Sequence, residues 1–143
     1  MRHLFEFKTK FAILFLVLIG FVVYGNTLPN QMFWDDYDFI LNNKYVHDFS
    51  FGKFFSESVI SGAGLLDNYW RPLLLTVFSL QYQIWGAWAP GYHVVNLLFH
   101  IGSALLLFFI LLRLFGSRPV AFFTAASFIA HPVQPEAVTY VNS

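Results

Sequence analysis

The sequence predicts an all-α integral membrane protein, with three transmembrane helices and an amphipathic helix in a large first external loop. Its composition is 57% hydrophobic and 21% aromatic, and only 11% of the residues are charged, against about 25% in soluble domains. Apolar side chains that face the acyl tails of lipids avoid contact with water. A chain with this many apolar residues is therefore expected to lie in a membrane. Two long apolar runs and the placement of the basic residues support the same fold class.

The apolar runs give the positions of the spans. Residues 11–28 follow a basic segment and are nearly as long as the ~20 residues that a spanning helix needs. A cleaved signal peptide is the alternative for this run. Residues 94–112 form the clearest span. Residues 119–130 form a short third span, because at ~1.5 Å per residue it covers only ~18 Å of a ~30 Å hydrocarbon layer.

The charges orient the chain in the membrane. The loop 26–91 holds six acidic and three basic residues, whereas five of the eight basic residues fall on the other side of the spans. By the positive-inside rule the N-terminus is cytoplasmic and the long loop is external. The five cytoplasmic basic residues are Arg2, Lys8, Lys10, Arg113 and Arg118.

A helix lying flat at the membrane surface is predicted within the external loop. Arg71-Pro72 marks its start, because Pro is tolerated at the first helical position. A fourth transmembrane helix is the alternative, but it would bury Arg71 and two glutamines in lipid. Thr76, Ser79 and Gln83 are predicted to lie opposite an apolar, interface-facing stripe formed by Leu74, Val77, Phe78, Ile84, Trp85 and Trp88.

The composition also excludes some functions. There is no Cys, which excludes disulfides, thiol catalysis and Cys-ligated zinc. The net charge is zero and no basic block occurs, so we expect no nucleic-acid partner.

We expect one incomplete domain made of residues 1–28 (cytoplasmic N-terminus and first span), 29–92 (external loop) and 93–143 (two further spans and an outer His-Pro motif).

An acidic motif follows the first span. Asp35, Asp36 and Asp38 stand among aromatic residues close to the membrane exit. Like charges close together raise a pKa, which suits a general base. The same carboxylates would suit a hard divalent cation, and a solvated acidic turn is the alternative without function.

The start of the second span carries a polar face. His93, Asn96 and His100 occupy helical positions i, i+3 and i+7, which fall on one side of a helix. Polar residues in membrane helices mostly face the bundle interior and often mark function. Interhelical hydrogen bonding is the alternative. No zinc-binding spacing occurs, so no metal ligand is assigned.

Two further groups lie on the outer side in this topology. His131 and Glu136 flank a segment with two prolines, which is predicted to be irregular. Arg71, beside Trp70, is suited to a phosphate or pyrophosphate, with a snorkelling interfacial Arg as the alternative. The residues predicted to share the outer membrane face are Asp35, Asp36, Arg71, His93 and Glu136.

Four motifs, taken in order, resemble a known family. They are Trp34-Asp35-Asp36, Tyr69-Trp70-Arg71-Pro72-Leu73, Gly91-Tyr92-His93-Val94-Val95-Asn96-Leu97-Leu98-Phe99-His100 and His131-Pro132-Val133-Gln134-Pro135-Glu136-Ala137-Val138. Their order is similar to that in the N-terminal part of the transmembrane and tetratricopeptide-repeat O-mannosyltransferases and their bacterial relatives. This family belongs to the GT-C glycosyltransferases and is related to the protein O-mannosyltransferases. The resemblance covers roughly residues 26–143.

The resemblance implies a membrane glycosyltransferase that uses a polyprenyl-phosphate sugar, such as mannose, on the extracytoplasmic side. It implies that Asp35 or Asp36, with a slight preference for Asp35, is the catalytic base for a hydroxyl on a protein, lipid or glycan acceptor. Arg71 would stabilise the leaving lipid phosphate. His93, His131 and Glu136 would bind substrate.

Three spans cannot enclose a GT-C cavity, so we expect the chain to be truncated and inactive alone. A non-catalytic membrane subunit that binds a partner is the alternative function. A metal-dependent hydrolase or metal transporter is the second alternative. The absence of an Asn-x-Ser/Thr sequon favours the bacterial inner membrane over the endoplasmic reticulum.

Overall fold

The computed structural model describes residues 8–141, and all regular secondary structure in that range is helical. Two compact units are present. The helix unit comprises residues 8–28 and Val94–Thr139, and the loop unit comprises Pro29–His93 and residues 140–141. The helices are α1 (Thr9–Tyr24), α2 (Lys44–His47), α3 (Phe51–Ser56), α4 (Pro72–Trp85), α5 (Ala89–Phe115), α6 (Arg118–Ala130) and α7 (Pro135–Thr139), with 3-10 turns at Gly25–Thr27 and Ser61–Ala63 and a π-helical segment at Tyr37–Leu41.

Within the described range, two helices are long and apolar enough to cross a membrane. One is α1 with its 3-10 extension, Thr9–Thr27, and the other is α5. The prediction of these two apolar helices is confirmed. α5 begins at Ala89 rather than at residue 94, because Pro90 is tolerated in the first helical turn. The apolar α6 has 13 residues, so the third span stays a prediction.

The helix unit packs through small side chains. α1 and α6 contact each other, and small residues allow helix backbones in a membrane to approach closely. A Cβ atom added at Gly20 would lie 2.5 Å from Cγ1 of Ile101 on α5, so a side chain at this position requires the Ile101 side chain to move. The inward-facing residues are Ala12, Leu16, Gly20 and Tyr24 on α1, and Ala121, Ala125 and Ile129 on α6.

His100 is a buried polar side chain of the helix unit. Its ring stacks on Phe128 at a centroid distance of 5.2 Å and meets Tyr24 edge-on at 5.4 Å. Its Nε2 atom lies 3.4 Å from the carbonyl oxygen of Ile129 on α6. These contacts support an interhelical packing role for His100.

The loop unit has its own core, packed around α4. This helix contacts α2, α3 and the π-helical segment. The ring of His47 on α2 stacks on Tyr82 at 4.1 Å, and its Nε2 lies 2.8 Å from the carbonyl oxygen of Ile40. The buried apolar residues of this core are Met32, Phe39, Ile40, Val46, Phe54, Val59, Leu75, Phe78, Tyr92 and Val141.

Pro72 is the first residue of α4, which confirms the predicted start. The predicted apolar stripe is wrong in part. Phe78 lies in the core of the loop unit, and so does Ser79, which was expected on the polar face. The Ser79 hydroxyl donates to the Val46 carbonyl at 2.6 Å, and a hydroxyl satisfied in this way can be buried. The exposed apolar positions on α4 are Ile84, which belongs to the predicted stripe, and Leu73 and Leu80, which do not.

Asn43 caps α2 and crosslinks the loop unit. Its side-chain Oδ1 accepts from the Tyr45 backbone N–H at 3.1 Å, and its Nδ2 donates to the Val59 carbonyl at 2.8 Å. The side chain is fully buried. A Cβ at Gly62 would collide with Oδ1, so the 3-10 turn must carry glycine there.

Within residues 8–141 one ion pair is found, between Lys53 and Glu57. Glu57 also accepts from the Tyr45 hydroxyl at 2.7 Å. The Lys53 ammonium, and then the Tyr45 hydroxyl, hold the pKa of the Glu57 carboxyl below its usual value. Because Lys53 is half exposed, we attribute little stability to this pair.

We expect Gly20→Val to destabilise the helix unit by about 1–3 kcal/mol, the usual cost of overpacking, because the added methyl groups meet Ile101. Gly102→Val on α5 is the matched control, since a Cβ there meets nothing within 4 Å. SDS-induced unfolding in mixed micelles, followed by circular dichroism, measures both variants. Equal midpoints for the two would show that Gly20 is not a close-packing position.

Candidate functional site

The acidic motif forms a tight turn that leads into the π-helical segment. The backbone N–H of Asp36 donates to the Phe33 carbonyl at 3.1 Å, and that of Tyr37 donates to the Trp34 carbonyl at 3.2 Å. Trp34 has φ +51°, a left-handed conformation that costs a bulky residue about 1–3 kcal/mol. The ring of Trp34 is 76% exposed, so its own burial does not offset that cost.

The carboxylates of this motif lie in different environments. Asp35 is exposed, and its backbone carbonyl accepts from the N–H groups of Asp38 and Phe39. Asp36 is only 2% exposed, and its Oδ2 accepts from the Phe33 backbone N–H at 2.9 Å. Asp38 is half-buried, and its Oδ1 accepts from the Asn42 amide at 3.2 Å. The structure therefore separates two neighbouring aspartates that the sequence presents as equivalent.

His93 belongs to the same unit as the acidic turn. It is 1% exposed, and the Asp36 carboxylate acts on its ring electrostatically. The backbone of Asn30 also faces the ring, but neither ring nitrogen is in hydrogen-bonding geometry with a protein group. His93 is thus a buried imidazole whose charged neighbour is Asp36.

Arg71 lies at the mouth of an open cavity of about 650 Å³ in the loop unit. The guanidinium group lies 5.6 Å from the centroid of the Tyr69 ring. The Trp70 indole donates to the Phe55 carbonyl at 3.1 Å, which holds one wall of the cavity. The lining residues are Phe55, Trp70, Arg71, Pro72, Leu73 and Leu74. This cavity offers one cation among apolar walls.

His131 and Glu136 belong to the helix unit, and both are exposed. The His131 Nδ1 accepts from the Val133 backbone N–H at 3.3 Å. The expectation of an irregular segment is wrong at its second half, because Pro135 is the first residue of α7 and Pro suits that position. Glu136 lies in the first turn of α7, where a helix dipole favours an acid.

Among residues 8–141, no group of three or more His, Asp or Glu side chains is placed to hold a metal ion. Of the six predicted site residues, the loop unit holds Asp35, Asp36, Arg71 and His93. Sequence reasoning assigned no role to Tyr69, whose ring lies beside the Arg71 guanidinium, or to Phe55, which lines the cavity. Tyr69 is the first residue of a quoted motif, but nothing in the spacing of Phe55 signals its place.

The comparisons with known proteins agree with the motif order. The chain is 35% identical to protein O-mannosyl-transferase Tmtc2 of Drosophila melanogaster over 145 residues, which is 97% of the chain and 15% of that protein. The chain belongs to the TMTC family of protein O-mannosyl-transferases. The TMTC chain is also 33% identical to Drosophila Tmtc1 over 84% of the TMTC chain's own residues. It is 31% identical to human TMTC1 over 80% of its own residues.

The TMTC chain spans about 14–15% of the length of these relatives. No protein-family model and no solved structure gives a significant match. The sequence prediction of the family is therefore confirmed by the relatives alone.

We predict that Asp35→Cys in the TMTC chain reacts rapidly with a polar maleimide, whereas Asp36→Cys reacts at least several-fold more slowly. The reason is that the first position is exposed and the second is buried. The chain has no native Cys, so each variant carries one reactive thiol. Labelling is timed in detergent micelles, and unfolding in SDS should equalise the two rates. Equal rates in the folded chain would contradict the described turn.

Proposed function

We propose that this TMTC chain is part of a membrane mannosyltransferase that transfers mannose from a polyprenyl-phosphate donor to an acceptor hydroxyl on the extracytoplasmic side. The 35% identity to a named protein O-mannosyl-transferase over 97% of the chain carries the proposal. The names of the relatives favour a protein hydroxyl, and lipid and glycan acceptors are outcomes that the assay distinguishes.

In this reaction an aspartate removes the proton from the acceptor hydroxyl. The oxygen then forms a bond to the anomeric carbon of the sugar while the bond from that carbon to the phosphate oxygen breaks. The lipid phosphate leaves with the electron pair, and the proton ends on the aspartate. The exposure of Asp35 supports its assignment as the base, because an exposed carboxylate can reach an acceptor.

Arg71 is proposed to stabilise the leaving lipid phosphate. A guanidinium matches phosphate oxygens with paired donors, and charge that develops on a leaving group is best met by a fixed donor. The apolar walls of the cavity support this assignment, because they suit the first isoprenoid units next to the phosphate. A divalent cation at the acidic motif remains a prediction without a described ligand cluster.

His131 and Glu136 of the helix unit are proposed to bind substrate, on the basis of the motif resemblance. Their exposure is compatible with ligand binding. His93 is proposed to bind substrate, as the motif resemblance implies, and also to act on the acidic turn.

The membrane arrangement is part of the proposal. We propose a cytoplasmic N-terminus, a third span at α6, and α4 at the membrane surface through its exposed Leu73, Leu80 and Ile84. Trp88, also exposed, would lie at headgroup level. The bacterial inner membrane stays a prediction from the sequence, while the relatives named above are animal proteins.

We expect the double variant Asp35→Asn with Asp36→Asn, in the protein encoded by the complete reading frame, to lose transfer by at least about 100-fold, because general bases contribute about 10²–10⁴-fold. The assay follows radiolabelled mannose from a polyprenyl-phosphate donor into acceptor. Asp48→Asn, an exposed acid of the same unit, is the control. Undiminished transfer in the double variant would remove the acidic motif from the chemistry.

Arg71→Ala is expected to raise the donor KM about 10- to 100-fold, since a hydrogen bond to a charged group contributes about 1.5–3 kcal/mol. Arg71→Lys should recover part of the loss, because it keeps the charge but not the planar fork. Lys44→Ala removes an exposed cation elsewhere in the loop unit and serves as the control. A donor KM that does not change in Arg71→Ala would contradict the phosphate assignment.

A further inference from the structure

The buried carboxylate of Asp36 has no role in the reaction if Asp35 is the base, and this inference therefore rests on the proposed function. A buried charge is costly unless polar groups compensate it. Asp36 is 2% exposed, in the turn where the neighbouring Asp35 is exposed. A carboxylate buried in this turn therefore requires compensating groups within the loop unit.

Two groups of the loop unit act on the Asp36 carboxylate. The Phe33 backbone N–H donates to its Oδ2 at 2.9 Å, which closes the turn around Trp34 and Asp35. The ring of His93, 1% exposed, lies within its electrostatic reach. His93 is in the first turns of α5, in the part that belongs to the loop unit. The carboxylate is thus tied to the acidic turn by a hydrogen bond and interacts electrostatically with a residue at the start of a regular helix.

The strained backbone conformation at Trp34 requires contacts that restrain it. A left-handed conformation at a bulky residue persists only where surrounding contacts over-determine it. The exposed Trp34 ring makes an edge-on contact with Phe33 at 6.1 Å, which is a weak restraint. The hydrogen bond to Asp36 is made across the strained residue, from position 33 to position 36, so it restrains that residue directly.

We propose that Asp36 and His93 are positioning residues, a buried pair that fixes the acidic turn against the start of α5 and thereby holds Asp35 outward toward substrate. Neither ring nitrogen of His93 is in hydrogen-bonding geometry with another protein group. An imidazole whose ring nitrogens are both buried and outside hydrogen-bonding geometry is suited to interact with a carboxylate within its electrostatic reach. The two aspartates then differ in function: Asp35 reacts, and Asp36 sets where Asp35 stands.

The first test measures the pair without any activity. The ring nitrogen resonances of His93 are recorded by ¹⁵N NMR of the chain in detergent micelles. We expect Asp36→Asn to shift them and Asp35→Asn to leave them in place. The ring of His47, which is in the same unit and bonds to a backbone carbonyl, is the internal control. His93 resonances that do not respond to Asp36→Asn would overturn the pair.

The second test uses the protein of the complete reading frame. His93→Leu removes the imidazole that acts on the buried carboxylate, and we expect kcat to fall about 100-fold, as for a catalytic group misplaced by about 1 Å, with the donor KM unchanged. His93→Gln keeps an N–H donor and should restore most of kcat. His47→Gln is the stability control, because His47 contacts Ile40 and Tyr82 of the same unit and none of the turn residues 33–36.

The outcomes separate this inference from the proposed function. A kcat that is lost in both His93→Leu and His93→Gln, or kept in both, would overturn the positioning role. Loss of transfer in Asp35→Asn together with an unresponsive His93 signal would leave the proposed function standing and remove the pair. A responsive His93 signal together with full transfer in Asp35→Asn would leave the pair standing and remove Asp35 as the base.

Discussion

The side-chain amide of Asn43 joins three segments of the loop unit that share no regular ladder of hydrogen bonds. It caps α2, it holds the Val59 carbonyl, and it leaves no space beyond hydrogen at Gly62. A buried amide in these contacts cannot be exchanged for an apolar side chain without leaving a carbonyl and an N–H group unpaired, each at about 1–3 kcal/mol. The unit in which α4 packs therefore contains a buried polar side chain whose hydrogen bonds link α2 to the segment at Val59.

The long apolar helices could be predicted from the sequence because hydropathy over a window of about 20 residues reports a spanning length directly. Which side of α4 faces the protein could not be predicted. Its core face carries Ser79 and Gln81 beside Phe78, while Leu73 and Ile84 are exposed. Both faces of α4 carry polar as well as apolar side chains, so hydrophobic periodicity does not distinguish the buried face from the exposed one. Distant partners such as the Val46 carbonyl decide the face.

The candidate site shows the same limit. Residue order predicted the family, and the relatives confirm it. The sequence also predicted a candidate site at the acidic motif. It could not predict which of Asp35 and Asp36 is buried, because two adjacent identical residues carry no such signal. The buried carboxylate accepts from the Phe33 N–H and lies within the electrostatic reach of His93, which is more than fifty positions away in the chain. Long-range electrostatics of this kind is set by tertiary structure, and no local pattern encodes it.

The packing of α1 on α6 has a consequence for how the protein is made. During synthesis α1 is complete roughly 100 residues before α6 emerges, which at about 5–20 residues per second is a delay on the order of 5–20 s. For that time the face carrying Ala12 and Gly20 has no α6 to contact. The small residues on this face present little surface to lipid or to a wrong partner, whereas Leu16 and Tyr24 present more. The small residues of α1 that permit close packing against α6 thus also limit the contacts that α1 makes before α6 has been synthesised.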